Sequence, residues 1–508
     1  MTLTTLSGIL LFIGLSTVAV SYGWGMRGTN IGGETGAMLP GALMGLCIAV
    51  FSGSDFLLEH FYLLSAAGAL GMYFGGSMSY GETVGLISNE NPGGKLAREY
   101  VGLFVKGGIW FGLFGAVAGM FLSFLAGYYD LKAVLLLFGL MPLFALGDSR
   151  LFDRPYDEEK GIHPKIYFSH TRPEGMGVLF GILVELAAFM AIYGDSVALW
   201  LTLGSTLSGG IGWVLAQWMQ IRAKHPNKKG RRFCGRLSGK GLLDAWKIME
   251  CALGAFAGLG ISTTFVLIAN FSPAYRAQYT ALSLPQLTNL RPWILPAVFV
   301  ALLGLDMLKH IVKRPRTKEE LDWQLKRCLI SAEEHEIAMR SAGDTPSKAF
   351  LLYEKINQTA LMPIYCIIPI FFLFLGSGEV AKLVSFYVIY YVVAEQNIFD
   401  RFNLFKSIWV WRIGMLGFGF FLIFAQFYWG WTPGLLPTVL MYGAGYEGIT
   451  LVGSIAKHSP ERLGKKTARE TSLRQAYGGQ ITTHGYFILC IILVTAFAAW
   501  LRIGTLSL

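Results

Sequence analysis

The feature that most constrains this chain is a succession of apolar runs that extends along nearly all of its 508 residues. Many of these runs reach the ~20 residues that a helix needs to cross the hydrocarbon core of a bilayer. Only 15% of the residues are charged, whereas soluble domains carry roughly 25% charged residues. The pattern argues against a water-soluble fold and predicts an all-α protein, a polytopic transmembrane helix bundle.

The apolar runs predict fourteen membrane spans. The first run has no Lys or Arg before it, so it lacks the basic segment of a cleavable signal peptide, and we expect it to be the first helix. Three runs are short enough to be re-entrant or broken helices, namely 133–147, 361–377 and 383–397. The predicted spans cover residues 4–22, 36–53, 61–80, 101–126, 133–147, 175–194, 197–221, 242–270, 292–311, 361–377, 383–397, 408–427, 434–456 and 481–501.

Lysine and arginine are distributed unevenly between the two sides of this bundle. With the N-terminus outside, the great majority of the 42 Lys and Arg fall in inward loops, and the loop 222–241 carries eight of them and no acidic residue. Because basic loops stay in the cytoplasm, we expect a multi-pass protein of the plasma (inner) membrane with its N-terminus and C-terminus outside. The same bias explains the net charge of +10 and leaves no reason to expect a nucleic-acid partner. The basic residues of the outward segments are Lys132, Arg276, Arg291, Lys382 and Arg502.

A weak internal repeat relates two parts of the chain. The segment 34–41 resembles 174–181, and glycines and one lysine downstream of each segment recur in the same order. Each copy would contain four helices, spans two to five and six to nine. Since four is even, the copies would share one orientation and form a parallel repeat about an axis along the membrane normal. The corresponding residues are Gly68 with Gly204, Gly76 with Gly212, and Lys106 with Lys247.

One sizeable polar segment, 312–358, separates the repeat from the C-terminal part. Residues 317–320 have the form of a capping box, and Leu321, Leu325 and Leu329 recur every fourth residue, which predicts a surface helix to about residue 341. We expect a cytoplasmic amphipathic linker that lies on the membrane or the bundle, or docks a partner. The predicted domains are a first helix (1–22), repeat unit 1 (23–147), repeat unit 2 (148–311), this linker (312–358) and a five-helix membrane part (359–508).

The string from Tyr22 to Gly36 is the most distinctive in the sequence. Its glycines allow non-helical backbone beside Arg27, and Glu34 stands at the start of the next predicted span. An anion there would meet free amides and the positive end of a helix dipole. The alternative is structural, since Glu34 at a helix start is also a favourable cap. Trp24 stands near a predicted span end, where membrane-interface anchoring explains it.

Ionisable residues inside apolar runs are the next candidates, because each is costly in hydrocarbon and must face protein or water. Lys106 lies deep in its span beside two glycines, which favours a contact with substrate or a counter-ion. Lys247 and Glu250 share one helix face with Asp244, as an ion cluster or part of a site. Desolvated carboxylates exchange protons readily, and the ones we select for proton or cation coupling are Glu82, Glu185 and Glu447. The full set of predicted pathway residues is Arg27, Glu34, Glu82, Lys106, Glu174, Glu185, Lys247, Glu250 and Glu447.

The loop 148–174 offers a different chemistry, because it is dense in acids and bases. A carboxylate and a histidine could act as base and acid at the cytoplasmic face, although a solvated, charge-balanced loop looks similar. The catalytic residues of such an enzyme would be Asp153, Asp157, His163 and His170. No nucleotide-binding or metal-ligand motif occurs in the sequence, and we expect no cofactor and no metal.

These observations lead to three hypotheses. The first is a secondary transporter, coupled to ions or protons, for a small polar anionic or zwitterionic solute. The second is a membrane-embedded enzyme that modifies a lipid or lipid-linked substrate at the cytoplasmic face. The third is a non-catalytic membrane subunit that docks through 312–358. Under each hypothesis the partners are the lipid bilayer and, for the transporter, a small-molecule solute, with a protein partner or a homo-oligomer as a further possibility.

Overall fold

In the computed structural model the described part of the chain is helical. It comprises residues 3–27, 33–76, 78, 80–88, 96–154, 160, 162, 165–166, 175–224, 245–279, 282, 318, 321–322, 325 and 332–340. The helices are α1 (Leu6–Arg27), α2 (Gly33–Phe51), α3 (Asp55–Glu59), α4 (Tyr62–Gly75), α5 (Gly81–Ser88), α6 (Leu96–Leu125), α7 (Leu131–Leu151), α8 (Met176–Ile192), α9 (Ser196–Lys224), α10 (Ala245–Phe271), α11 (Pro273–Gln278) and α12 (Ala332–Arg340).

Five of these helices, α1, α6, α7, α9 and α10, are long and apolar enough to cross a membrane. Helices α2, α4 and α8 contain shorter apolar stretches. Eight of the predicted spans fall on described residues, and a helix occupies each of them. The protein therefore has the composition and helical structure of a membrane-embedded protein, while the full set of fourteen spans stays a prediction.

The predicted span 133–147 needs a correction. The sequence predicts a short run there that is re-entrant or broken, yet α7 extends over 21 residues. Asp130 caps its first turn by accepting from the Ala133 amide at 2.6 Å. Asp148 lies within this helix and is buried, with 7% of its surface exposed.

Helices α1 to α11 belong to one compact unit, and α12 belongs to a second unit. In the second unit, α12 falls within the predicted surface helix and carries an exposed ion pair between Arg340 and Glu336 at 2.8 Å. Leu321, the first leucine of the pattern, is buried. The candidate site belongs to the first unit.

Six helices of the first unit pack around one another in a closed ring. In spatial order they are α1, α2, α4, α6, α9 and α10, and α10 returns to pack against α1. Short chain segments join most of these neighbours, so sequential helices run in alternating directions. The ring is the framework that positions every buried charge of the candidate site.

Glycine permits the closest approaches in this ring. A Cβ atom on Gly107 would collide with the backbone oxygen of Gly209, and one on Gly209 would collide with that of Gly107. Gly41 of α2 and Gly68 of α4 are related in the same reciprocal way. Small residues at such positions let helix backbones touch, which is the main source of packing between helices in a membrane.

Helices α7 and α8 lie outside the ring as a pair. They pack against each other, and α8 also packs against α6 and α9. Leu183 of α8 approaches Gly112 of α6, and Thr202 of α9 contacts the Met190 sulfur at 3.6 Å. The outward surface of α7 is apolar and exposed, notably at Leu136, Leu143 and Leu146. This pair is called the outer hairpin.

Candidate functional site

One end of the ring holds a group of buried charges, and we call it the lysine end. It is formed where α1 and α9 finish and where α6 and α10 begin. Four charged residues there are almost fully inaccessible, with exposed fractions of 0% for Lys106, 6% for Lys247, 4% for Glu99 and 1% for Glu250. Charged side chains are rarely buried unless they are paired or have a functional role. This concentration of buried charges therefore makes the lysine end the candidate functional site.

Lys247 ties α10 to the end of α1. Its ammonium group donates to Glu250 at 2.6 Å and to the carbonyl oxygen of Gly25 at 2.8 Å. Gly25 lies in the last turn of α1, where carbonyl groups have no partner within the helix and carry the negative end of the helix dipole. Glu250 also accepts from the indole nitrogen of Trp246 at 2.9 Å. The Lys247–Glu250 pair is therefore held by its own opposite charges, by the Trp246 indole and by a backbone carbonyl group of α1.

Lys106 ties α6 to the short helix α5. Its ammonium group donates to the hydroxyl of Thr83 at 2.9 Å, and both side chains are completely buried. Nearby, the Gln217 amide of α9 donates to the Val84 carbonyl at 3.4 Å. Because α5 is not a member of the ring but contacts α6 and α9, these bonds hold it across the lysine end.

Aromatic rings fill the space beside these charges. Trp24 of α1 lies 4.9 Å from Trp110 of α6 and 6.1 Å from Trp213 of α9, centroid to centroid. Tyr80 lies 4.9 Å from Trp213 and 6.3 Å from Trp246, and so joins this cluster to the Glu250 pair. The indole nitrogen of Trp213 has no hydrogen-bond partner among the described residues. Aromatic faces beside buried cations suit a solute with both an apolar and a charged part.

The opposite end of the ring, here the tyrosine end, is closed by neutral hydrogen bonds and one aspartate. Tyr129 donates to Asp195, which also caps α9 by accepting from Ala198 at 2.9 Å. Tyr279 and Ser123 share a hydrogen bond of 2.6 Å, and Tyr275 stacks on Tyr279 with ring centroids 4.8 Å apart. Burial raises the pKa of the phenols of Tyr129, Tyr275 and Tyr279 above their ordinary value. These tyrosines therefore stay protonated near neutral pH.

The structure brings together some of the residues that the sequence selected. Lys106, Lys247 and Glu250 all lie at the lysine end, and Arg27 ends α1 at that same end. Glu34 stands in the first turn of α2, and Glu82 is the second residue of α5. Glu185 is separate from this group, since it lies on α8 in the outer hairpin. Outside the described residues lie Asp157, His163, His170, Glu174 and Glu447.

Asp153 is the described member of the proposed catalytic loop, and it has a structural partner. Its carboxylate accepts from the backbone amides of Gly177 at 3.0 Å and Val178 at 3.2 Å. These are unpaired amides of the first turn of α8, where negative charge also favours the helix dipole. The hydrogen bonds of Asp153 are therefore those of a capping residue.

Sequence reasoning missed several residues of the lysine end. Trp24 is not an interface anchor, because only 1% of its surface is exposed and it packs inside the ring. Glu99, Thr83 and Gln217 were not selected, although each is buried and Thr83 accepts from Lys106. One available signal was the helical spacing of Trp213, Gln217 and Gln220, which places a tryptophan and two amides on one face of α9.

Among the described residues, no group of three His, Cys, Asp or Glu side chains could hold a metal ion. Within the described residues, the lysine end brings ammonium, carboxylate and aromatic groups together. No known protein family, curated protein or solved structure matches this chain.

Proposed function

We propose that this protein is an integral plasma-membrane transporter that moves a small polar anionic or zwitterionic solute through the ring. The observation that carries the proposal is the burial of Lys106 and Lys247 at one end of a ring of apolar helices. Ionisable residues within membrane helices are expensive, and they commonly mark a substrate or ion pathway. The lysine end is the proposed solute site.

The geometry of the lysine end supports this class of solute. An ammonium group can bind a carboxylate or a phosphate as a compact cation. The Glu250 carboxylate, which now pairs with Lys247 at 2.6 Å, is available for a solute amino group when that pair separates. The surfaces of Trp110 and Trp213, whose centroids are 5.6 Å apart, can cover an apolar part of the solute. The site thus has a complementary group for each part of a zwitterion.

The proposal keeps the fourteen spans, the parallel repeat around the pathway and the five-helix C-terminal part as its architecture. It also keeps the orientation in which the lysine end faces the cytoplasm. Transport is secondary and is driven by an ion or proton gradient through membrane carboxylates, with Glu82, Glu185 and Glu447 as the candidates. Arg27, as the last residue of α1, would attract the anionic group of the solute.

The test of transport uses the purified full chain in liposomes with an imposed proton or sodium gradient. Uptake is measured for a panel of labelled anionic, zwitterionic, cationic and neutral small solutes. We expect accumulation of an anionic or zwitterionic member, and loss of that accumulation in Lys106→Ala and Lys247→Ala. Lys132→Ala is the matched control, because Lys132 is an exposed lysine near the start of α7. Uptake of only cationic solutes, or equal loss in the control, would contradict the proposal.

The orientation has a separate test. Single cysteines replace Gly235 or Lys465 in a variant without the six native cysteines. In the proposed orientation both positions face the cytoplasm, so a membrane-impermeant thiol reagent labels them only after the cells are opened. Labelling of either position in intact cells would refute this arrangement of spans.

A further inference from the structure

Three carboxylates line the seam between α7 and α8 in the outer hairpin. Asp153, just past the end of α7, caps the first turn of α8 through Gly177 and Val178. Asp148, one turn before the end of α7, directs its carboxyl group against Gly181, where a Cβ atom would overlap it. Glu185 stands on α8 itself, about halfway along its 17 residues. The set of Asp153, Asp148 and Glu185 is called the carboxylate ladder.

The contact points of the ladder are evenly spaced on one face of α8. Gly177, Gly181 and Glu185 are each four residues apart, so successive steps rise by ~6 Å along the helix axis. The Cβ of a helical residue points toward the helix N-terminus, so the Glu185 side chain leans toward the level of Gly181. Asp148 lies within electrostatic range of Asp153 on one side and of Glu185 on the other. The ladder therefore leads from the start of α8 to its middle.

Two oxygens of the ladder have no hydrogen-bond partner in the part of the chain that the structure describes. They are Oδ2 of Asp148 and Oε2 of Glu185, and both atoms are inaccessible to solvent. Asp148 as a whole is more than nine-tenths buried. Each carboxyl group thus has one buried oxygen without a partner, which disfavours its ionised form, and binding a proton removes the charge. These orphan oxygens point to a ligand as small as a proton.

Among the residues that the structure describes, no charge near the ladder supplies the missing partners, and the basic residues that follow α7, namely Arg154, Lys160 and Lys165, are exposed. On α7, Lys132 lies near the far end of the helix, and Arg150 is exposed. On α6, Lys106 donates to Thr83 of α5, and Glu99 lies near the start of that helix. The remaining basic residues of the helices that pack against α8 are Arg98, Arg222 and Lys224, all in the first or last turns of α6 and α9.

A larger cation fits the ladder less well than a proton. Metal ions such as calcium need six or more oxygens at bonding distance. In the described residues no three acidic, histidine or cysteine side chains converge closely enough to hold a metal. The even steps of the ladder distribute its carboxylates along the seam instead of gathering them around one point.

We propose that the carboxylate ladder is the proton pathway of this transporter, a proposal that rests on the proposed function. A proton leaves a hydronium ion at the start of α8, where the ionised Asp153 attracts it, and bonds to the Asp148 carboxylate. Asp148 then gives that proton to the Glu185 carboxylate and returns to its ionised form, while the hydronium ion becomes water. Glu185 holds the proton at mid-helix, beside the contacts of α8 with the ring.

The test measures protonation directly, without a solute. Purified protein in lipid is treated with a hydrophobic carbodiimide, which reacts with protonated carboxyl groups in apolar surroundings, and the modified residues are located by mass spectrometry. We expect labelling of Glu185 that falls about tenfold for each pH unit above its titration midpoint, because the protonated fraction does. Infrared difference spectra between two pH values report the same carboxyl signal. We expect Glu185→Gln to lose most of it and Asp148→Asn to lose part of it.

Asp130→Asn is the matched control, because Asp130 is a carboxylate of the same hairpin at its other end and asparagine caps a helix equally well. A second variant, Gly181→Ala, removes no acid but displaces the Asp148 carboxyl group, and we expect it to reduce the Asp148 part of the signal. The proposal is overturned if Glu185 is unlabelled at every pH, if Asp130→Asn loses as much signal, or if sodium ions alone protect Glu185.

The failure of this inference can be separated from the failure of the proposed function. If the ladder titrates but no solute is accumulated, the proton site stands and the transporter proposal fails. If solute is accumulated while Glu185→Gln accumulates it equally against its gradient, the transporter stands and the ladder is not its proton pathway. The expected result is that Glu185→Gln keeps exchange of solute across the membrane but loses accumulation.

Discussion

The two ends of the ring are both closed by buried polar groups, but the groups differ in kind. The tyrosine end uses phenols, hydroxyls and a single aspartate that also caps α9. The lysine end uses full charges of both signs next to tryptophans. Neutral hydrogen bonds give a fixed closure at low electrostatic cost. A cluster of buried charges is weak evidence of a gain in stability over apolar residues, and this is why the proposed solute site is placed at the lysine end.

The largest effect is expected from breaking the Lys247–Glu250 pair at the lysine end. Lys247→Met leaves the Glu250 carboxylate buried without its partner, which should lower the free energy of unfolding by about 3 to 5 kcal/mol and abolish transport. Thermal unfolding in detergent and uptake in liposomes measure the two effects. The double variant Lys247→Met with Glu250→Gln removes both charges, and we expect it to regain most of the stability but no transport. Recovery of transport in the double variant would argue against solute binding there.

The next largest effect is expected from removing the Asp195 carboxylate at the tyrosine end. Asp195→Ala removes the cap of α9 and leaves the Tyr129 hydroxyl without its acceptor, for a loss of about 2 to 4 kcal/mol in the free energy of unfolding. We expect the fraction that folds to transport with an unchanged KM, because no solute contact is lost. Asp195→Asn, which keeps the cap, should lose less. A raised KM in Asp195→Ala would show that this end also binds solute.

Two glycines on α6 compare the ends directly. Gly107→Ala places a methyl against the backbone of Gly209 near the lysine end, while Gly119→Ala meets Ala198 toward the tyrosine end. Overpacking of this kind costs about 1 to 3 kcal/mol. We expect both variants to unfold at lower temperature and only Gly107→Ala to change the KM. Gly147→Ala is the control, since nothing lies within 4 Å of the position that its Cβ would take.

The smallest effect concerns alkaline pH. The pKa of Tyr129, Tyr275 and Tyr279 is raised above the ordinary value of 10.0 by burial. A raised pKa in the folded state stabilises the protein below that ordinary value, and the contribution is lost as pH rises above it. We therefore expect the unfolding temperature to fall above about pH 10, and to fall less steeply in Tyr129→Phe. An identical slope in Tyr129→Phe would contradict the assignment of this phenol.

The sequence predicted helix positions well because apolar length is a local property. The eight predicted spans on described residues all coincide with helices, and Lys106, Lys247 and Glu250 were selected because charge in an apolar run is visible in the sequence. The sequence predicted the packing arrangement of the helices less well, since packing depends on how side chains from distant segments fit together. The predicted repeat equates α2 with α8, yet α2 is a ring member and α8 lies in the outer hairpin.

Asp148 shows the same difference at a single residue. In the sequence it stands at the edge of an apolar run, followed by a charged loop, and resembles a solvated residue. Its burial depends on the neighbouring α8, where Gly181 leaves room for the carboxyl group. Trp24 is a similar case, because only its contact with Trp110 separates it from an interfacial tryptophan. Such contacts join residues that are far apart in the sequence, so the local sequence around either residue does not predict them.

The closed order of the ring has a mechanical consequence. A row of helices has two free edges and can widen at either edge. In a closed ring each helix has two neighbours, so separating one pair of helices requires the other helix–helix contacts to shift. At the glycine contacts the helix backbones already touch, so the helices can move relative to one another only by sliding or tilting along their axes. Helix α5 is not bound by this constraint. In the proposed transporter, displacement of α5 would open the lysine end without separating any two ring helices.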